Sequence, residues 1–383
     1  MRGEADVDGI GYAQAPHNFP TSGRQHLPRP DDLGKGGEMV LPIGRSAAVV
    51  CGVIAAVALP QAAQASTGVP GQGDVVVRQL AATPAQEQAV RDYWTPARIA
   101  AMPTIPSQPV DKPLVNGPDG AAWTGGSGVS KTVGRLFFTD HGEDESCTAT
   151  IVNSANRSTI VTAGHCVHTF NLIGKDPQWL AKPFFVPGFH DGAMPYGGFV
   201  PRLAVVNSNW VADDQNAQND EAFLVLNPGA DGRAAQDAVG AAQRIGFDVP
   251  GGKPVEEFGY PRASKEDGHQ GRPEFMGRRV AHCWGTAVQA AVLSSGPGES
   301  DPLPKGHWGV PCDMGGGSSG GPRLADFDVT SGQGTVVGVD TMSDQLDSTG
   351  GECVTGKPCL RYLVGPQFTN DTSRPLYDRA AGA

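Results

Sequence analysis

From Val133 onward the chain breaks into short β-prone runs divided by turns, and this texture limits its possible folds more than any other feature. The runs fall at 134–139, 147–153, 159–162, 183–186, 200–206 and 221–226, then at 254–260, 277–288, 306–310 and 335–339. Strands at this spacing, with few helical periods among them, argue for an all-β barrel or sandwich. The 53 glycines and 32 prolines suit such a turn-rich chain, and 383 residues suffice for one to three domains with a real core. A short closing helix is expected over 373–380. Neither an internal repeat nor a membrane-spanning stretch is visible in the sequence.

The N-terminal third reads differently. The apolar run from Ala47 to Leu59 is 13 residues long, short for a bilayer span but right for the core of a signal peptide. Arg45 flanks it with positive charge, and Ala63-Gln64-Ala65 is a small-x-small cleavage site before Ser66. A buried core helix is the alternative reading of that run. A signal peptide over 39–65 places Met39 at its start, and Gly34 to Glu38 is encodable by a purine-rich tract of the kind that precedes a start codon. Residues 1–38 are then a non-native or disordered extension, polar and aperiodic. Residues 66–125 read as propeptide and linker, or as an arm kept in the mature protein. They hold two helix-compatible stretches, 84–94 and 95–102, before a segment rich in proline, glycine and aspartate. The main domain is expected over 126–383.

Charge and cysteines narrow the setting. A formal charge of -11 argues against nucleic acid or anionic membrane as partners, since both reward basic surfaces. Cys51 lies in the leader, which leaves six cysteines in an exported chain and favours up to three disulfides. Pairing in chain order gives Cys147–Cys166, Cys283–Cys312 and Cys353–Cys359, a pairing that sequence alone does not prove.

Three stretches carry chemistry. Gly315-Gly316-Gly317-Ser318-Ser319-Gly320-Gly321-Pro322 sets a serine among glycines. Glycine permits φ > 0, so backbone N–H groups can converge on one point and receive an oxyanion beside a serine hydroxyl. Alone, such a run is more often a flexible loop. Thr162-Ala163-Gly164-His165-Cys166 puts an imidazole just after a β-run, where it can accept a proton near neutral pH. A zinc site from Cys147, His165, Cys166 and His168 is the rival, disfavoured because neighbours on an extended chain point in opposite directions. Asp220 stands at the mouth of the apolar run 222–226, where a buried carboxylate needs a donor such as a histidine N–H. Asp213 and Asp214 are rivals in a polar turn.

The order His165, Asp220, Ser319 and the two flanking motifs resemble the chymotrypsin/trypsin-like serine peptidases. More narrowly, the chain resembles their secreted bacterial, glutamyl-endopeptidase-like branch found in actinobacteria. Tyr93-Trp94-Thr95-Pro96-Ala97-Arg98, Phe185 to Gly192, Gly259-Tyr260-Pro261 and Gly365-Pro366-Gln367-Phe368 add to the likeness, which runs from about residue 93 to the C-terminus. The resemblance implies two six-stranded antiparallel β-barrels with the site in the cleft between them. It implies Ser319 as nucleophile, His165 as base and then acid, Asp220 as orienting carboxylate, and the N–H groups of Gly317 and Ser319 as oxyanion hole. Thr341 matches a family serine that supports the aspartate and lines the P1 pocket. No cofactor and no metal are implied, and the partners are protein or peptide substrates of a secreted monomer.

Two departures from the family pattern stand out. Ser318 replaces an aspartate that many members pair with a new N-terminus after activation, and no Ile-Val-Gly-Gly-type mature start exists. Removal of the propeptide by a cut between Ala101 and Lys131 is therefore the expected maturation. At the pocket, Asp340 takes the place where a glutamate-specific relative would carry histidine, which argues against glutamate specificity. Asp313, six residues before Ser319, either faces the pocket and attracts arginine or lysine or belongs to a surface turn. A catalytically dead binding protein and an esterase with the same triad are the alternative functions.

Overall fold

The structure is a computed structural model, and it describes residues 75–102, 117–169, 177–212, 217–262, 272–290 and 306–383 except 352, 355 and 357. The expected signal peptide, Cys51, Asp213 and Asp214 lie outside the described residues.

Among the described residues fourteen strands of four residues or more carry the fold: β1 (Val75–Gln79), β2 (Val133–Asp140), β3 (Glu143–Ile151), β4 (Thr159–Thr162), β5 (Ala181–Pro187), β6 (Pro201–Asn207), β7 (Ala222–Leu226), β8 (Pro254–Gly259), β9 (Ala281–Thr286), β10 (His307–Pro311), β11 (Pro322–Asp328), β12 (Gln333–Val339), β13 (Met342–Leu346) and β14 (Leu360–Pro366). The first seven form one antiparallel sheet in the order β1-β6-β7-β4-β3-β2-β5. β5 meets the start of β6 where Phe185 of β5 and Phe199, just before β6, exchange two backbone hydrogen bonds of 2.8 Å. This is the six-stranded first barrel with β1 added outside it.

The second half divides into two sheets. One runs β12-β11-β8-β9 with the short strands Arg244–Ile245 and Ala121–Ala122 at its margins. The other runs β10-β14-β13, with Val288–Gln289 beside β10. Two seams join them. The Cys283–Cys312 disulfide ties β9 to the end of β10, and Phe368 N–H to Val337 O (2.8 Å) ties the end of β14 to β12.

Period-2 side-chain alternation explains why β2 is buried along nearly its whole length. Leu136 and Phe138 pack with Ile151, Phe185 and Phe199, while Phe137 faces the other way and packs with Trp94, Val161 and Val186. The strand has no water-facing side because a second layer covers it. Part of that cover comes from helix α1 (Pro84–Tyr93) and the short α2 (Pro96–Ala100). Thr83 caps α1 with a capping box: its hydroxyl accepts from Gln86 N–H at 3.3 Å and its N–H donates to Gln86 Oε1 at 3.0 Å. Trp94, 3% exposed, lies 5.4 Å from the Phe137 ring and donates its indole N–H to Lys182 O at 2.6 Å.

Residues 75–102, grouped by sequence with the propeptide and linker, are thus packed into the first barrel as a seventh strand and two helices. Burying a side chain such as Trp94 or Ile99 contributes roughly 1.5–3 kcal/mol, so the arm is held by several such contacts and five strand pairings from Val75 to Gln79. The C-terminal helix α3 (Ser373–Ala381) closes the chain against β6 and β7, with Tyr377 on Phe223 at 5.9 Å.

Sequence reading missed β1, β11, β13 and β14. β11 opens on Pro322, a residue that normally argues against a strand but is tolerated at its first position. The run 277–288 is interrupted: Gly277 takes φ +66 in a turn, and only Ala281–Thr286 forms the long strand. Among the described residues no helix is long and apolar enough to cross a membrane.

Candidate active site

Strand register brings the histidine and the carboxylate together. β4 and β7 are antiparallel with Thr162 opposite Ala222. His165 lies three residues beyond Thr162 and Asp220 two before Ala222, so both emerge at the same end of the pair. Asp220 Oδ2 stands 2.8 Å from His165 Nδ1, and Oδ1 accepts the His165 backbone N–H at 2.7 Å. A carboxylate only accepts, so Nδ1 carries the hydrogen and Nε2 keeps its lone pair. Gly164 makes the approach possible: a Cβ there would sit 3.1 Å from Asp220 Oδ1 and from Glu221 N.

The histidine is held from its other neighbour too. Cys166 is bonded to Cys147 of β3, as chain order suggested, and Cys283–Cys312 and Cys353–Cys359 follow the same order. The sulfurs of Cys147 and Cys166 and a His165 ring nitrogen lie within 4.8 Å of one another. A disulfide, however, offers no thiolate, the form of cysteine that binds metal. The donor set therefore does not suit zinc. His168 is buried, with its ring on the Trp179 edge at 4.8 Å.

Electrostatics favour a basic imidazole. Burial works to lower the His165 pKa, but the charge and hydrogen bond of Asp220 outweigh it and leave the group above its ordinary value. Its side chain stays 30% exposed, while that of Asp220 is 3% exposed, so the base is reachable and its partner is not.

The glycine-serine run forms a tight loop between β10 and β11. Gly317 takes φ +98 and Gly320 φ +81, both in the region that side chains rarely adopt. The two serines separate clearly. Ser318 is fully buried and its hydroxyl donates to Gly315 O at 2.5 Å, whereas Ser319 is partly exposed. Among the described residues, the N–H groups of Gly317 and Ser319 donate to no protein acceptor. Their carbonyls, by contrast, are engaged. Thr148 Oγ1 donates to Gly317 O at 2.9 Å, and Thr148 N–H to Ser319 O at 2.8 Å.

Thr148 is the residue that sequence reading missed. It follows Cys147 on β3, its hydroxyl also accepts the Tyr260 N–H at 2.9 Å, and its carbonyl accepts from Thr162 Oγ1 at 2.8 Å. One threonine of the first barrel thus pins the serine loop of the second half beside the histidine turn. A threonine inside an ordinary strand gives no sequence signal for that role.

The expected pocket residues scatter. Thr341 is 8% exposed and its N–H donates to Val364 O at 2.9 Å. Asp313 is 7% exposed; its N–H donates to Asp119 O at 2.7 Å and its carbonyl accepts from Arg361 Nη1 at 3.2 Å. Asp340, expected from the resemblance at the pocket wall, is instead fully buried. Its backbone brackets the serine loop, accepting from Gly320 N–H (2.6 Å) and donating to Gly321 O (2.9 Å). Its carboxylate belongs to a buried group with Glu257 and Arg323, behind the loop, and presents no wetted surface to a substrate side chain.

Neither a protein-family model nor a curated protein matches this sequence. Solved structures do. The thermostable serine protease AL20 from an extremophilic microorganism is 28% identical, with a TM-score of 0.51 over 66% of this chain and 98% of its own. The protease Anisep from Arthrobacter nicotinovorans is 27% identical, with a TM-score of 0.51 over 69% of this chain and 100% of its own. A Glu endopeptidase in complex with MPD is 18% identical over 70% of this chain, at a TM-score of 0.46, too remote to carry an argument about specificity. The chain has the all-β, double-barrel fold of trypsin-like serine proteases.

Proposed function

We propose that the protein is a secreted serine endopeptidase in which Ser319 attacks the peptide carbonyl and His165 takes its proton. Asp220 fixes the imidazole tautomer and stabilises the imidazolium, and the N–H groups of Gly317 and Ser319 receive the oxyanion. The acyl-enzyme that forms on Ser319 is then hydrolysed, with His165 activating water. The observation that carries this reading is the Asp220–His165 pair at 2.8 Å beside a partly exposed serine, with the Gly317 and Ser319 N–H groups donating, among the described residues, to no protein acceptor. Secretion is supported by the leader over 39–65 and by three disulfides, which persist in oxidising compartments.

Maturation by a cut between Ala101 and Lys131 is part of the proposal. Since residues 75–102 are packed into the first barrel, the arm is expected to stay bound after such a cut. The buried Ser318 hydroxyl, turned onto Gly315 O, supports a mechanism without an aspartate-to-N-terminus ion pair.

A fluorophosphonate probe followed by peptide-library digestion tests the function. Wild-type protein is expected to be labelled on Ser319 and to cleave peptides, and Ser319→Ala to do neither. Absence of labelling in the processed wild type would favour a binding protein. Labelling with ester but no peptide turnover would favour an esterase.

A further inference from the structure

A second cluster of charge lies on the other side of Arg262 from the serine loop. The end of α2, strand β2, the segment after β8 and the loop before β9 enclose a cavity of about 410 Å³. Arg135 of β2 reaches it with 3% of its surface exposed. Its Nε donates to Ser146 Oγ at 2.9 Å and its Nη1 to Gly277 O at 2.8 Å, and its guanidinium lies 4.8 Å from the Phe137 ring centre. Among the described residues no carboxylate hydrogen-bonds to it.

Arginines outnumber carboxylates among the described lining residues. Arg262, also lining the cavity and 1% exposed, pairs with Glu145. Arg278 and Arg279 share one carboxylate, Asp191, at 3.5 and 2.6 Å. Among the described residues the lining itself carries three guanidiniums, those of Arg135, Arg262 and Arg278, and one carboxylate, Asp191, in a protein whose formal charge is -11. A buried cation without an ion-pair partner is costly, and its burial and the like charge of Arg262 lower the Arg135 pKa to about 9. The remaining walls are apolar: Ile99 and Met102 from the arm, Phe189, and Met276.

We infer that this cavity is a binding site for an organic carboxylate, its charge held by Arg135 with Arg262 and Arg278 and its apolar body against Phe189 and Met276. Planar guanidiniums match a carboxylate with paired hydrogen bonds, and the mixed lining suits a carboxylate attached to carbon better than a bare inorganic ion. The site is mechanically joined to the serine loop. Arg262 N–H donates to Gly316 O at 2.7 Å, and a Cβ on Gly317 would lie 3.3 Å from Arg262 Cγ. The carboxylate is supplied either by a small free acid or by an acidic side chain of a bound peptide.

The first test reads binding alone and is independent of the peptidase reading. Purified full chain is titrated with benzoate, with benzyl alcohol, and with chloride at matched ionic strength while Tm is followed. Benzoate is expected to raise Tm saturably, as a ligand that binds only the folded state must, and the other two are not. Arg135→Met should abolish the rise. Should that variant fail to fold, Arg278→Gln with Arg279→Gln, both on the exposed rim, should weaken benzoate at least several-fold. Equal effects of benzoate and benzyl alcohol, or a rise unchanged in the variants, would overturn the proposal.

The second arm walks a glutamate through each position of a peptide substrate. A lowered KM at one position, competed by benzoate, assigns the carboxylate to the substrate. No positional preference with benzoate still bound assigns it to a free acid. Benzoate binding in a protein that cleaves no peptide keeps the site and removes the peptidase reading instead.

Discussion

The two halves of the candidate site are held by different kinds of force. On the histidine side, side chains do the work: Asp220 grips both the ring and the backbone of His165, and a disulfide fixes the next residue. On the serine side the loop is shaped by glycines of positive φ, hydrogen-bonded by Thr148, and backed by the buried Arg323, Glu257 and Asp340. A change on the first side should therefore act on proton transfer with little loss of fold. On the second it should act on stability before chemistry.

The largest effect expected is that of Asp220→Asn. The amide keeps the shape but loses the charge and offers His165 Nδ1 a donor or an uncharged acceptor, which disturbs the tautomer. Loss of such a carboxylate lowers kcat by about 10⁴-fold, while the melting temperature should move little. Asp220 holds the His165 pKa up, so the acid limb of kcat/KM, where the base becomes protonated as pH falls, should shift to lower pH. A large rate loss with no shift of that limb would deny Asp220 its electrostatic part.

Arg323→Met probes the other side. Arg323 is fully buried; it donates to Trp308 O, and through Nη2 to Gly365 O at 3.0 Å and Pro366 O at 3.2 Å. Its Nε lies 3.7 Å from Glu257 Oε1, an ion pair beyond hydrogen-bond reach. Burial holds Glu257 and Asp340 toward their protonated forms and Arg323 opposes it. Removing the one cation strands two buried acids and three carbonyls, a change worth about 3–5 kcal/mol, read from the urea midpoint. Stability within 1 kcal/mol of wild type would show that this cluster does not support the loop.

The same contrast explains what was legible in the sequence. His165, Asp220 and Ser319 stand in motifs whose residue types are dictated by chemistry, so they could be picked out as candidates before any fold was known. Chain order was enough to suggest the cysteine pairs. Thr148, Arg135 and Arg323 were not legible, because their roles arise only when distant strands meet. A threonine in a strand or an arginine in a turn-rich chain carries no local mark of what it will touch. Asp340 was misplaced for a related reason: a motif position tells where the backbone runs, not whether a carboxylate turns toward water or toward an arginine. The arm was read as linker because its strand, Val75–Gln79, is short and its helices are brief; the edge of β6 gives the strand its partner, and β2 and β5 give the helices theirs.

The smallest effect belongs to Asp220's own neighbour. Glu221 is fully buried; its Oε2 accepts from Ser373 Oγ at 2.9 Å at the start of α3, and its Oε1 has no hydrogen-bond partner among the described residues. Burial raises its pKa to about 8, and the nearby charge of Asp220 adds to the rise. Between pH 4.5, the ordinary value, and about 8 the folded state therefore binds a proton that the unfolded chain has released. Stability must fall across this window as pH rises, and above it the penalty levels off. Glu221→Gln keeps the Ser373 contact and removes the titration. It should flatten the pH dependence of the urea midpoint between pH 5 and 8, with a gain of order 1 kcal/mol or more at pH 8, and leave kcat within about twofold. An unchanged slope would mean that Glu221 ionises in the folded protein as it does in water. The carboxylate beside Asp220 would then be hydrated, and the contact between α3 and the end of β7 looser than its burial implies.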